Sequence, residues 1–214
     1  MKDNILVYDT PEWLLAFTTG RDASVEDLGL GMEELGLPRQ THSDHVLWVN
    51  QAGRPEDTDA VITSKPDLCL CVKTADCIPV LVYDSQERII AAIHAGWRGT
   101  VARIVSKAIG KMQSRPENLH AIIGPGISLQ AFEVGNEVYD AFHEAGFPMQ
   151  RIARKYQRWH IDLWEANRWL LEENGIQDIH VAGLCTYHNP DKFYSARRET
   201  INTGRNLNGI MIRS

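Results

Sequence analysis

The sequence predicts an α+β fold, a layered arrangement with a mixed sheet, in a single domain over residues 1–214. Two observations carry this expectation. Short runs rich in Val and Ile recur along the chain, each of strand length and flanked by turn residues. They first cluster and only later mix with helical segments, unlike the regular alternation of a parallel βαβ array. With 214 residues, 43% hydrophobic and 23% charged, the chain can bury one sizeable core.

The expected strands, in order, are residues 5–8, 14–18, 46–49, 60–63, 68–72, 80–83, 89–93, 121–123, 180–182 and 210–212. A first helix follows Thr100 as N-cap, because Val101, Ile104, Val105, Ala108, Ile109 and Met112 recur on one helix face. A second spans residues 136–145 and stops at Gly146 and Pro148. A third starts at Asp162 as N-cap, carries Leu163, Leu170 and Leu171, and ends at Gly175. A further helix is expected over residues 25–35.

The net charge is −6 and the basic residues are scattered, so no electrostatic footprint for nucleic acid or an anionic membrane emerges. No run of about 18 apolar residues suggests a membrane span. The start, MKDNILVYDTPEW, lacks a signal-peptide pattern, so a cytoplasmic protein is expected. In a reducing compartment, Cys69, Cys71, Cys77 and Cys185 read as core residues, ligands or nucleophiles rather than disulfides. Cys69 and Cys71 share one face of a strand and are assigned to the core.

Chemistry concentrates in residues 74–100, TADCIPVLVYDSQERIIAAIHAGWRGT. Cys77 precedes one strand of an expected hairpin and His94 ends the other, so the turn brings them together. Singly, a Cys is commonly a core residue and a strand His is commonly just accommodated. As a pair they fit either an activated thiol nucleophile or two zinc ligands. Gly96 and Gly99 allow close backbone approach. Arg98 offers a planar fork for phosphate or carboxylate, beside the start of the first helix. A second polar cluster, Gln40 to His45, contains His42 and His45. A third runs through Cys185-Thr186-Tyr187-His188 to Arg197, Arg198 and Arg205, where three arginines suit an anionic substrate group. Cys185 and His188 make only a pair, too few for a metal site. Gly124-Pro125-Gly126 does not match a phosphate-loop pattern, and no dinucleotide fingerprint occurs.

Taken together, Gln40-Thr41-His42, Thr74-Ala75-Asp76-Cys77, residues 94–99 (HAGWRG), residues 123–126 (IGPG), Cys185-Thr186, residues 193–198 and Thr203-Gly204-Arg205 occur in a specific order. From about residue 40 to its end the chain resembles the laccase-domain family, also called multicopper polyphenol oxidase-like or YfiH-like. The resemblance implies a single layered domain with a Cys–His geometry like that of the cytotoxic-necrotising-factor deamidases, a cysteine hydrolase fold. It places a metal site at His42, Cys77 and His94, which also become the catalytic residues. Three such ligands leave a fourth position open, the pattern of a catalytic zinc. It implies phosphorolysis of adenosine, inosine, guanosine and methylthioadenosine, together with adenosine deamination. Arg98 and Arg198 are then the candidates for phosphate. The alternative is a Cys–His hydrolase that edits peptidoglycan precursors (a UDP-MurNAc-amino acid). A second alternative is a non-catalytic, zinc-stabilised binding protein. Partners are expected to be small molecules, purine nucleoside and phosphate, with the chain a monomer or homodimer. Copper fits less well than zinc, because the eight histidines include no His-x-His. After Phe17-Thr18-Thr19 the chain departs from its relatives, whose glycine-rich stretch is replaced by the shorter GRDASVEDLGLGMEELGLP.

Overall fold

A computed structural model describes residues 4–214. Two sheets stack face to face, with the longer helices covering the outer face of the larger one. Its six strands run in the spatial order Asp178–Val181, Leu119–Ile123, Ile78–Asp84, Ile90–Ala95, Ala60–Thr63 and Val46–Trp48. The two outermost pairings are parallel and the inner three antiparallel, so the sheet is mixed as expected. The smaller sheet has the order Ile5–Val7, Leu14–Thr19, Asn206–Ile212, Cys69–Thr74, Leu35–Gly36.

The period of two along each strand explains the layering. Val61, Leu81 and Ala92 point from the larger sheet into the gap between sheets, where they meet Leu70, Val72 and Ile210. Their neighbours Ile62, Val80, Val82 and Ile93 point the other way, against Ile104, Val105, Ala108 and Leu170 of the helices. Strands buried on both faces are mostly apolar, which is why Ile78–Asp84 and Ile90–Ala95 read as hydrophobic runs, with Asp84 and His94 the polar exceptions near their ends. A third cluster, including Phe17, Leu37, Cys69 and Cys71, lies on the outer face of the smaller sheet.

Three helical expectations need correction. Thr100 is not an N-cap. The chain leaves Ile90–Ala95 through an extended Gly96 and enters a short helix at Trp97–Val101, so Thr100 lies inside it. Arg103 then adopts a left-handed conformation (φ 60°), and a separate helix spans Ile104–Met112. The Arg103 side chain reaches Glu173 at 2.8 Å and lies over the Trp169 ring, so tertiary contacts accompany the break. The apolar face read from the sequence is nevertheless the buried one. Residues 25–35 form no α-helix. Gly29 (φ 77°) ends one 3-10 turn, Val25–Leu28, and a second, Met32–Glu34, follows Gly31. Leu35–Gly36 then pairs with Cys69 and Leu70.

The second and third helices, Asn136–Glu144 and Leu163–Glu173, lie where expected, and the Asp162 carboxylate accepts the Glu165 N–H at 3.0 Å. A three-stranded sheet of Glu133–Val134, Trp159–Ile161 and Ala153–Lys155 was not legible, its strands being too short for periodicity. Among the described residues no helix is long and apolar enough to cross a membrane.

One buried polar thread ties the smaller sheet together. Tyr8 bonds Thr18 (2.8 Å), Thr18 donates to the Asn208 side-chain oxygen Oδ1 (2.8 Å), and the Asn208 side-chain amide Nδ2 donates to the Thr74 hydroxyl (3.0 Å). The thread ends three residues before Cys77. Asn208→Ala is therefore expected to destabilise the protein by about 2–3 kcal/mol, since several buried groups lose their partners at once. Urea unfolding of the variant against the parent chain checks this.

Candidate metal centre

The hairpin of Ile78–Asp84 and Ile90–Ala95 pairs Ile78 with Ala95 and Pro79 with His94. Cys77, one residue before the first strand, therefore lies across from Gly96, one residue after the second. That glycine is required by space, its φ being ordinary at −69°. A Cβ on Gly96 would stand 3.0 Å from the His42 ring and 3.2 Å from Cys77 Sγ, closer than a side chain usually tolerates. Gly126 plays the same part behind the turn. Its missing Cβ would meet the Ile78 side chain at 2.3 Å and the Asp76 carbonyl oxygen at 3.1 Å, which explains the second glycine of the Gly124-Pro125-Gly126 segment.

His42 arrives from a separate loop, and Asp59 positions that loop. One oxygen of the buried Asp59 carboxylate accepts the N–H groups of Thr41 (3.0 Å) and Ser43 (2.9 Å) and the Ser43 hydroxyl (2.8 Å). The other accepts the His42 N–H (3.1 Å) and faces His94 Nδ1 at 2.7 Å. His42 itself sits at φ 62°, a left-handed conformation that costs a non-glycine residue free energy and persists only where neighbours enforce it. Asp59 thus orients both imidazoles. Sequence reasoning missed it. Its only signal is an acid placed directly before the short, mostly apolar strand Ala60–Thr63.

Electrostatics follow from this packing. Burial alone would raise the Cys77 thiol, but the adjacent His94 and His42 outweigh it and bring the pKa down to about 6. Burial would lower the pKa of His94, yet the Cys77 thiolate and Asp59 raise it to about 9. Asp59 is held well below the usual carboxylate range: burial opposes this, and the bonds from His94, Thr41 and Ser43 prevail. Without metal, the pair is therefore thiolate and imidazolium near neutrality.

The donor atoms fit a metal ion. The ligand atoms of His42, Cys77 and His94 all lie within 4.8 Å of one another. Cys77 Sγ and His42 Nε2 are 3.8 Å apart. Tetrahedral zinc, with bonds of about 2.1 Å to nitrogen and 2.3 Å to sulfur, would set such a pair about 3.6 Å apart. Asp59 occupies Nδ1 of His94, leaving Nε2 as its ligand atom, the usual carboxylate–histidine–metal order. No second cluster of three such side chains occurs among the described residues.

The triad opens into a cavity of about 950 Å³. Trp97, Ile127 and Phe132 give it apolar surface, and Arg39, Arg54, Lys73, Arg197 and Arg205 line it with cations. Asp76, at φ 92°, closes the turn before Cys77. Its carboxylate accepts the Thr186 hydroxyl and the Arg197 N–H, both at 2.7 Å, so the C-terminal loop is pinned to the metal turn.

Other sequence candidates fall elsewhere. Arg98 is exposed and lies over the Trp97 ring at 4.3 Å, and it does not line the cavity. Arg198 does not line it either. Its guanidinium bonds the carbonyls of Thr186 (2.6 Å), Tyr187 (2.7 Å) and Phe193 (2.7 Å) and pairs with Glu199 (2.8 Å). Arg197 and Arg205, from the same segment, do reach the cavity. His45 pairs with Asp57 on the surface. Cys185 is buried and accepts the Ser128 N–H, and Cys69 and Cys71 lie in the core.

Residues 14–213 match the family described as multi-copper polyphenol oxidoreductase laccase. A protein named purine nucleoside phosphorylase from Bacteroides thetaiotaomicron is 49% identical over 199 residues, covering 84% of this chain and 74% of that one. A protein from an unidentified prokaryote, named adenosine deaminase RL5, is 36% identical over 201 residues, covering 86% and 77%. The crystal structure of the hypothetical protein YfiH from Bacillus licheniformis superposes with a TM-score of 0.88 at 25% identity, over 94% of each chain.

Asp59→Asn is expected to lower metal affinity about 10- to 100-fold, the usual cost of losing a partner that orients a ligand. Gly96→Ala is expected to lower metal occupancy while the far-ultraviolet circular dichroism stays that of the parent. Competition with a chromogenic chelator measures both.

Proposed function

This chain belongs to the multi-copper polyphenol oxidoreductase laccase family, and from that premise we propose that it is a zinc-dependent purine nucleoside phosphorylase that also deaminates adenosine. Adenosine, inosine, guanosine and methylthioadenosine are the proposed nucleosides. The observation that carries this reading is the His42–Cys77–His94 triad at the wall of a cavity with both aromatic and cationic surface. Its volume lies in the range of about 300–1,000 Å³ common to small-molecule sites. The names of the relatives agree with it.

Each part has a chemical task. Trp97 and Phe132 offer flat faces for a purine ring. The cations draw phosphate into the cavity and hold its negative charge. His94, locked to Asp59, keeps one nitrogen directed at the site. When bound, zinc supplies Lewis-acid chemistry and the activation of water that deamination needs. Zinc is preferred because three protein ligands with an open fourth position match a catalytic zinc site, while the histidines outside the triad form no further metal cluster, of the kind a multicopper centre needs, among the described residues.

A second reading keeps Cys77 as the nucleophile of a hydrolase acting on peptidoglycan precursors. The low thiol pKa beside His94 favours it.

Metal-defined protein incubated with inosine plus phosphate, and separately with adenosine, tests these readings. Hypoxanthine with ribose-1-phosphate, and inosine from adenosine, are expected from the parent chain, and turnover at background from Cys77→Ala and from chelated protein. Absence of both reactions at full zinc occupancy would reject the proposal. A covalent adduct on Cys77 during turnover of a UDP-MurNAc substrate would establish the second reading.

A further inference from the structure

We propose that Lys73 and Arg205, with Arg54 beside them, form a seat for a phosphoryl dianion on the wall of the cavity that the metal ligands also line. The proposal rests on the phosphorylase reading for its role, and on the geometry below for its existence.

Lys73 and Arg205 come together through sheet register. Thr74 pairs with Asn206 and Lys73 with Leu207, in antiparallel strands. Arg205, one residue before Asn206, therefore shares a face with Lys73 as its diagonal neighbour, a separation long side chains bridge. The opposite face carries Thr74, Asn206 and Asn208, all buried, so both cations are directed away from the core. Arg54 follows Gly53, which bridges Gly36 at the edge of the same sheet.

These cations are fixed in place without being neutralised. Arg205 bonds the carbonyls of Ile201 (2.7 Å), Thr203 and Gly204 (3.0 Å), and a guanidinium has five N–H donors, so some remain for a ligand. Among the described residues no carboxylate pairs with Lys73, Arg54 or Arg205. The two acids that line the cavity are engaged elsewhere. Glu56 faces Arg39 at 3.4 Å, and Asp76 holds Thr186 and Arg197. Burial, then Arg54 and Arg205, lower the pKa of the Lys73 ammonium, a mutual repulsion that a bound anion relieves.

The seat is also coupled to the metal loop. The Gln40 side chain donates to the Lys73 carbonyl and accepts its N–H, both at 2.8 Å, imitating a strand partner two residues before His42. An anion on Lys73 therefore lies beside the loop that carries a metal ligand.

A phosphoryl dianion can come from inorganic phosphate or from a nucleoside 5′-monophosphate, and the zinc-loaded protein distinguishes them. Calorimetric titration with inorganic phosphate is expected to saturate for the parent and to weaken about 10-fold or more in Lys73→Gln and Arg205→Gln. The KM for phosphate in inosine phosphorolysis should rise in parallel. Lys73→Arg should restore phosphate binding. If instead only the affinity for adenosine 5′-monophosphate falls in the variants, the seat serves a phosphate carried by the nucleoside. Unchanged affinity for both ligands overturns the proposal. Because calorimetry needs no turnover, a protein that fails to phosphorolyse inosine but loses phosphate binding in the variants would retain the seat and lose the phosphorylase reading.

Discussion

The Asp59 carboxylate is the group on which the geometry of the site depends. It lies one residue before the buried strand Ala60–Thr63, and its two oxygens collect three backbone N–H groups, a hydroxyl and an imidazole. A carboxylate withdrawn from water needs such compensation, or burial would drive it to its neutral form. The compensation in turn shapes the protein. It bends the Thr41–Ser43 backbone around one point, holds His42 in a conformation it would not otherwise favour, and fixes the orientation of the His94 ring. The same negative charge helps to sustain the His94 imidazolium, which with His42 keeps Cys77 ionised. Ligand geometry and ligand charge thus share one origin.

Around this point the fold supplies rigidity of two kinds. The Ile78–Asp84 and Ile90–Ala95 hairpin is buried on both faces, so Cys77 and His94 extend from elements with little freedom. The smaller sheet contributes the buried Asn208 thread and then, one residue on, the turn into Cys77. The loops between these frameworks add His42 and Arg197 to the candidate site, and they are held by side chains: Asp59 for the His42 loop, Asp76 for the C-terminal loop, Gln40 for the strand end at Lys73. Functional residues on loops braced by a packed scaffold are a general solution, because the scaffold fixes position while the loop supplies reach.

What could be read from the sequence follows from this division. Strands buried on both faces announce themselves as apolar runs, and the hairpin linking Cys77 to His94 was legible because its turn lies between two of them. Helices with a clear apolar face and a cap, such as the one begun by Asp162, were legible too. The break at Arg103 was not, since nothing in the spacing of Val101 and Ile104 signals it. His42 could be joined to Cys77 only through family resemblance, because a loop histidine carries no local mark of the partner it will meet. Arg98 drew attention by adjacency in sequence, whereas Lys73 and Arg54 reach the cavity through sheet register and edge pairing, which are long-range properties. Asp59 stayed hidden for the same reason: its partners lie well before and well after it in the chain.

The three ligands differ in their access to solvent: His94 is buried, Cys77 intermediate and His42 exposed. A metal held by all three would therefore sit with one side against the buried hairpin and the other toward solvent. A bound ion would have Cys77 and His94 at the buried hairpin and His42 on a loop secured mainly through the Asp59 carboxylate. Asp59 holds both the His42 loop and His94, so loosening of that one carboxylate would reach the most exposed and the most buried of the three candidate ligands together.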